Sequence, residues 1–353
     1  MMGAPPPGKD LMATYDFVFD SLGLRGWCGE EQGGLTSMAD LLGETSGEEA
    51  TVSAWDTPFP SLDALHEACN TIPQSRELTL GLEQGFLGIK DSLKVVVDPL
   101  TQPLSWALSN ALWVMQAVPW WIMIPALMLI VYLVGRSFKL VGLVAAAFCF
   151  LAFVDYYDYT MQTLAIIFVC AIICVLLGVP IGIAMSRSDR VQRVMIPILD
   201  MLQTLPPFVY LIPLIFLFSV TEPKLYGIAI ILYAIVPVVR LTDLGIRLVD
   251  KDVIEAADAF GMTKRQKLYG VQIPLALPNI MAGVNQTIMM SLAMVVIASL
   301  VSAPGLGVLV LRGIRNLELG VGLLSGLGIV LLAIILDRVT KAALARINAQ
   351  QPQ

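Results

Sequence analysis

Few residues in this 353-residue chain have the type and spacing to do chemistry. His66 is the single histidine and has no ligand-bearing neighbour at metal spacing, so it reads as a solvated side chain. The five cysteines show no metal-ligand pattern either. Cys149, Cys170 and Cys174 fall in apolar stretches, where a free thiol behaves as a small hydrophobe. Cys28 and Cys69 fall in an acidic N-terminal stretch and can pair only if it faces an oxidising compartment. No Gly-rich loop ends in Gly-Lys-Ser or Gly-Lys-Thr, so the chain has no phosphate cradle for ATP. Asp200, Asp243 and Asp337 stand near the ends of apolar stretches, on the side rich in basic residues. An ion-coupled carrier normally needs a carboxylate deep in the membrane, so their placement weighs against secondary transport. One polar segment remains, around Glu255-Ala256-Ala257-Asp258-Ala259-Phe260-Gly261. It is the longest charge-bearing stretch in the apolar two-thirds of the chain.

Composition says where such a segment must sit. Hydrophobic residues make up 57% and charged residues only 14%, against about a quarter charged in soluble domains. This is a membrane protein. The net charge of −6 conceals an asymmetry: residues 1–112 carry 5 Lys/Arg against 16 Asp/Glu, the remainder 17 against 12. An acidic tail outside the cell and basic loops inside fit that division. No basic patch suited to nucleic acid is present.

Residues 1–77 read as a mostly flexible extracytoplasmic tail, with one short amphipathic helix near Leu11–Leu22 and a possible surface anchor at Trp55 and Phe59. Residues 78–117 read as amphipathic interfacial helices: Leu80, Leu82, Phe86, Ile89, Leu93 and Val97 recur at three- and four-residue steps between charged residues. A second such helix, Leu104 to Val118, is expected after Pro99 and Pro103. The fold expected beyond is all-α, with about seven spans at 118–135, 139–154, 160–185, 198–219, 225–243, 280–303 and 319–340. The second is short. The fourth carries Pro206, Pro207 and Pro213, which marks it either as a wall of a translocation path or as a packing kink. With the tail outside and the C-terminus inside, 14 of the 17 basic residues fall in cytoplasmic loops, leaving Lys224, Arg312 and Arg315 outside.

The polar segment then lies in a cytoplasmic loop, 244–279. Asp252 to Ala259 is helix-forming with acidic residues in its first turns, and Gly261 supplies a left-handed stop. A second short helix follows around Lys264 to Tyr269, and Pro274 and Pro278 lead the chain back. Glu-Ala-Ala by itself would suit any solvated loop. The full spacing says more: Glu-Ala-Ala, three residues, Gly261, nine residues, Val271, one residue, then Ile273-Pro274. This resembles the EAA loop of the membrane subunits of ABC importers, apart from Val271 and Ile273 where Ile and Leu are usual.

That resemblance implies a coupling helix, shaped by Glu255, Ala256, Ala257 and Gly261, that docks on a cytoplasmic ABC ATPase dimer. ATP and Mg would then be bound by the partner and no cofactor by this chain, which would not itself be an enzyme. It also implies a type I importer permease fold, a second copy of the chain, an extracytoplasmic substrate-binding protein and an inner-membrane location. Within 118–340, and densely from 198, further runs resemble the permease of ProU-type glycine betaine/proline betaine importers. They are Gln203-Thr204 with Pro207-Phe208-Val209-Tyr210-Leu211, Met281 to Thr287, Met294 to Ser299, and Gly305-Leu306-Gly307 with Leu311 to Ile314. The implied cargo is a quaternary-ammonium solute; trimethylamine N-oxide, choline and carnitine share its chemistry.

A zwitterionic solute needs no fixed counter-charge, and its ammonium group favours aromatic faces. Phe208, Tyr210 and Tyr233 are candidates, though such aromatics are more often core. Pro207, Phe208, Tyr210, Asn285, Gln286, Ser291 and Ser299 are the residues expected to line either a path or a subunit interface. Small residues on the sixth span favour close helix approach.

Overall fold

The computed structural model describes residues 61–68 and 71–349. The helix expected at Leu11–Leu22, Trp55, Phe59 and the pairing of Cys28 with Cys69 lie outside the described residues. Among the described residues every regular element is helical. The chain divides into two units, Met1–Ser92 and Leu93–Gln353.

In the first unit, α1 (Leu62–Ala68) precedes the start of α2 (Ser75–Ala117). The Asp63 carboxylate accepts the Ser75 backbone N–H at 2.8 Å and its hydroxyl at 2.7 Å, capping α2. Those bonds hold the carboxyl below the usual carboxylate range. The two helices expected over 78–118 are one helix here. Pro99 and Pro103 lie inside it, each removing a single backbone donor without ending it. Neither break is reinforced by a glycine or a second adjacent proline, and the Thr101 hydroxyl bonds the Val97 carbonyl at 2.8 Å across the same turn.

The second unit continues with α3 (Trp120–Gly135), α4 (Phe138–Phe153), α5 (Tyr157–Arg187), α6 (Asp189–Thr204) and α7 (Leu211–Leu217). Next come α8 (Pro223–Arg247), α9 (Lys251–Ala259), α10 (Lys264–Lys267), α11 (Ile273–Ala298), α12 (Leu306–Arg315) and α13 (Leu319–Ala349). All seven expected spans coincide with helices. Four are long and apolar enough to cross a membrane by themselves: α5, α8, the run Lys264–Val301 and Leu319–Arg346. Two more arise as bent pairs, α2 with α3 at 114° and α6 with Pro207–Leu217 at 103°. The short second span is α4, whose 16 residues reach about 24 Å against a hydrocarbon core of about 30 Å. The eighth helix extends past the expected end at 243, so Arg247 lies on it rather than in a loop.

The innermost contacts join α5, α8 and α11. A Cβ built on Gly182 of α5 would sit 2.7 Å from the Val239 carbonyl oxygen of α8, and one on Gly283 of α11 would sit 3.0 Å from Val238 Cα. Only a residue without a side chain lets these backbones approach so closely. Around the trio, Leu104 and Leu108 of α2 pack with Ile166, Ile230 and Val295 in one cluster. Val144, Phe148, Met161, Leu306 and Leu332 form a second cluster, which joins α3 and α4 to α12 and α13.

Candidate docking site and path

The polar segment folds into a helix–break–helix knob built by local capping. Asp250 caps α9 by accepting the Asp252 N–H at 3.0 Å. At the other end Gly261 takes φ +73°, Gly261 N–H donates to the Asp258 carbonyl at 2.9 Å, and Met262 N–H donates to the Ala257 carbonyl at 3.1 Å. That is a Schellman stop with glycine at the left-handed position. Thr263 then opens α10 in a capping box with Gln266: each accepts the other's backbone N–H, at 2.9 Å and 3.4 Å. Lys267 returns to both Asp258 carboxylate oxygens, at 2.7 and 2.8 Å, and ties the two arms together.

The knob's faces differ. Ala257 and Leu268 are buried, so the small side chain at 257 seats the helix. Glu255, Ala256 and Gly261 are exposed. Phe260 is 85% exposed just before the glycine break, and Val253, Met262 and Tyr269 of the same loop are exposed as well. Glu255 makes no ion pair among the described residues, so the loop presents exposed apolar side chains and an uncommitted carboxylate. Such a surface is suited to insertion into a groove on a partner.

The residues expected to line a path or an interface separate into different environments. The broken span turns at Pro206, which cannot donate to the Leu202 carbonyl; the Tyr210 hydroxyl donates to that carbonyl instead. Tyr210 is buried by this role, Pro207 is half-buried, and Phe208 is 55% exposed on the 3₁₀ turn Pro207–Tyr210. On α11, Asn285 donates to Asp337 of α13 at 3.1 Å and accepts from the Thr340 hydroxyl, while Lys341 pairs with Asp337 at 2.7 Å. Ser291 and Ser299 donate to the carbonyls four residues back, Thr287 at 2.9 Å and Val295 at 3.1 Å, and both are buried. Gln286 is exposed. Only Phe208 and Gln286 of the seven are open on the single chain; Asn285 spends its amide on a clasp between α11 and α13.

Two polar groupings were not singled out from the sequence. At the basic end, Asp243 accepts from Gln192 at 2.7 Å and from Arg247 at 3.0 Å. Arg247 also reaches Asp189 and the Met185 carbonyl, each at 2.9 Å, and Arg240 pairs with Asp200. These links fasten α6 along α8. The four-residue step from Asp243 to Arg247 was the available signal. At the opposite end Lys224 is 5% exposed, 2.6 Å from Asp98 of α2 and 3.1 Å from Glu222, and 5.0 Å above the Phe218 ring. A buried ammonium with two carboxylates and an aromatic face joins α2 to the first turn of α8 and the loop before it. Nothing local to Lys224 in the sequence points to Asp98, 126 residues away.

Comparison with known proteins places the chain. Over 187 residues it is 48% identical to the glycine betaine/proline betaine transport system permease protein ProW of Escherichia coli (strain K12), covering 53% of this chain and 52% of that protein. It therefore spans about half the length of its ProW relatives. It is 42% identical over 258 residues to the glycine betaine transport system permease protein OpuAB of Bacillus subtilis (strain 168), covering 72% and 86%. It is 34% identical over 264 residues to the trimethylamine N-oxide transport system permease protein TmoV of Ruegeria pomeroyi, covering 73% and 39%. A solved structure of the MetNI methionine ABC transporter matches with TM-score 0.49 at 18% identity, over 54% of this chain and 95% of that one. The family described as binding-protein-dependent transport system inner membrane component matches residues 175–349. With a relative 42% identical across 86% of its length and the EAA-type knob inside the matched region, the chain belongs to the binding-protein-dependent transport system inner membrane component family.

Proposed function

We propose that this chain is the membrane-spanning, non-catalytic subunit of an ATP-driven importer for quaternary-ammonium solutes of the glycine betaine and proline betaine type. The observation that carries the reading is the preformed knob, with Phe260 and Glu255 exposed, at the foot of a helical run that continues from Lys264 to Val301 over 38 residues. Two copies share one path. A cytoplasmic ATPase dimer holding ATP and Mg seats one knob in each groove and draws the pair together as it closes. Because the run beyond the knob is continuous, a displacement at its foot moves its far end, where a loaded binding protein would deliver solute. The N-terminus lies outside and the C-terminus inside, a reading supported by the excess of basic residues in the expected cytoplasmic loops.

The chain's own part is positioning. The knob receives the stroke, the trio α5, α8 and α11 carries it, and the bend at Pro206–Pro207 gives the path a movable wall. Phe208 is the exposed aromatic on that wall and suits a methylated ammonium. The cargo assignment is supported by the names of ProW and OpuAB. A second reading, trimethylamine N-oxide or carnitine by the same mechanism, is supported by TmoV and by the glycine betaine/carnitine permease GbuB of Listeria monocytogenes, 42% identical over 234 residues.

The test is uptake of labelled glycine betaine by cells lacking osmolyte importers. They would express this chain with an ATPase and a binding protein of such an importer, against unlabelled trimethylamine N-oxide, choline and carnitine. ATP-dependent uptake displaced only by betaines is the expected result. Displacement by one amine moves the cargo to that amine, and uptake without the ATPase overturns the mechanism.

A further inference from the structure

Pro274 stands four residues after Gly270. In an unbroken α-helix the Gly270 carbonyl would accept the N–H of residue 274, but proline has none and its ring collides with that carbonyl. The chain relieves the collision at that point. Leu268–Gln272 is a π turn, and Ile273 N–H donates to the Leu268 carbonyl, five residues back instead of four. Before it α10 is α-helical, and after it α11 is α-helical. A single π turn inside an α-helix stores one extra residue, and such turns persist where they serve a purpose.

The extra residue fixes a direction. One residue of α-helical register is a rotation of about 100° and a rise of about 1.5 Å. If the same residues formed a plain α-helix, everything before the turn would swing by that amount relative to α11. The two arms would swing together, since Lys267 holds Asp258.

We propose that Pro274 is a positioning residue: by forcing the π turn it sets the direction in which the knob faces beneath α11, and so where Glu255, Ala256 and Phe260 point. This rests on the docking role proposed above. It gives the proline at the end of the loop pattern a task distinct from that of Glu-Ala-Ala, aiming the surface rather than supplying it.

The test compares Pro274→Ala with Pro274→Ala carrying a deletion of Gly270, in the full chain assembled with its ATPase and binding protein. Removing the proline lets the turn relax to α and misaims the knob; removing one residue as well restores the original register. Gly270 is suitable because open space surrounds it. Betaine-stimulated ATP hydrolysis should fall about tenfold or more in Pro274→Ala, because functional constellations tolerate only about 10–20° of misorientation, and should recover in the double variant. Loss of hydrolysis that the deletion does not restore would overturn the proposal; unchanged hydrolysis in Pro274→Ala is judged by whether the knob has turned.

A readout on the chain alone separates this from the docking role. Spin labels at Phe260→Cys and Arg338→Cys should change separation in Pro274→Ala and regain it in the double variant. An unchanged separation overturns the aiming role whatever the ATPase does. A separation that moves and returns while hydrolysis stays native throughout overturns the docking reading instead.

Discussion

Tyr210 donates its phenolic hydrogen to the carbonyl of Leu202, the acceptor that Pro206 leaves without its helical partner. The bend of the fourth span is thereby closed by a side chain eight residues away. Tyr210→Phe leaves the ring in place and orphans that carbonyl, a loss of about 1–3 kcal/mol if no water enters. The expected outcome is a lowered melting temperature of the detergent-solubilised chain with betaine uptake reduced in proportion to folded protein. Wild-type stability would show that the bond contributes nothing.

Gly261 occupies left-handed backbone with open space around its Cα. Gly261→Val therefore meets no clash, only the conformational penalty of about 1–2 kcal/mol for a side chain there, and more for a branched one. Membrane insertion should be unchanged while co-purification of the ATPase and uptake both fall. Normal uptake by this variant would remove the docking role from the knob.

These two sites show what the sequence could reveal. The knob was legible because its caps are local: Asp250, Gly261, Thr263 and Gln266 act within five residues of their partners. Span positions were legible from length and apolarity. The continuity of α2 was not, since Pro99 and Pro103 read as a boundary while the helix tolerates both. The partner of Asn285 was equally hidden, because a polar residue on an apolar helix looks the same whether it faces a path or clasps α13. The π turn could have been read from Pro274 and Gly270, four residues apart, but a kink would have explained that pair as readily.

Lys224→Met tests the clasp at the opposite end. It strips the buried cation from Asp98 and Glu222, whose side chains remain 34% exposed. The cost should be about 1–3 kcal/mol, below the 3–5 kcal/mol of a fully buried broken pair because water reaches the carboxylates. Limited proteolysis should then cut near Pro99 faster than in the native chain, and Lys224→Arg should restore part of the protection. Equal cleavage rates would show that apolar packing of Val97, Leu104, Leu108 and Leu112 is enough to hold α2.

A double-mutant cycle on Asn285→Leu and Thr340→Val measures the bridge between α11 and α13. Bonds of this kind within membranes couple by about 0.6 kcal/mol on average and reach about 1.7 kcal/mol. The expected coupling lies between these figures; the separate bond from Asn285 to Asp337 is lost with Asn285 in either background and cancels from the cycle. Coupling near zero, with uptake lost in Asn285→Leu alone, would return Asn285 to the path.

The near-contact of backbones at Gly182 and Gly283 has a mechanical consequence. Thr242 and Leu241 of α8 sit in the notches left by Gly182 and Gly283, and sliding one helix along another would drive them against the larger residues on either side. We expect the trio α5, α8 and α11 to resist shear and to swing as a single lever. Flexure is left to the joints around it: the proline corner before the 3₁₀ turn, and the left-handed residues Arg136 and Asp155 at either end of α4. A staple between α5 and α8 should go unnoticed by the transport cycle, whereas one thrown across the proline corner should halt it.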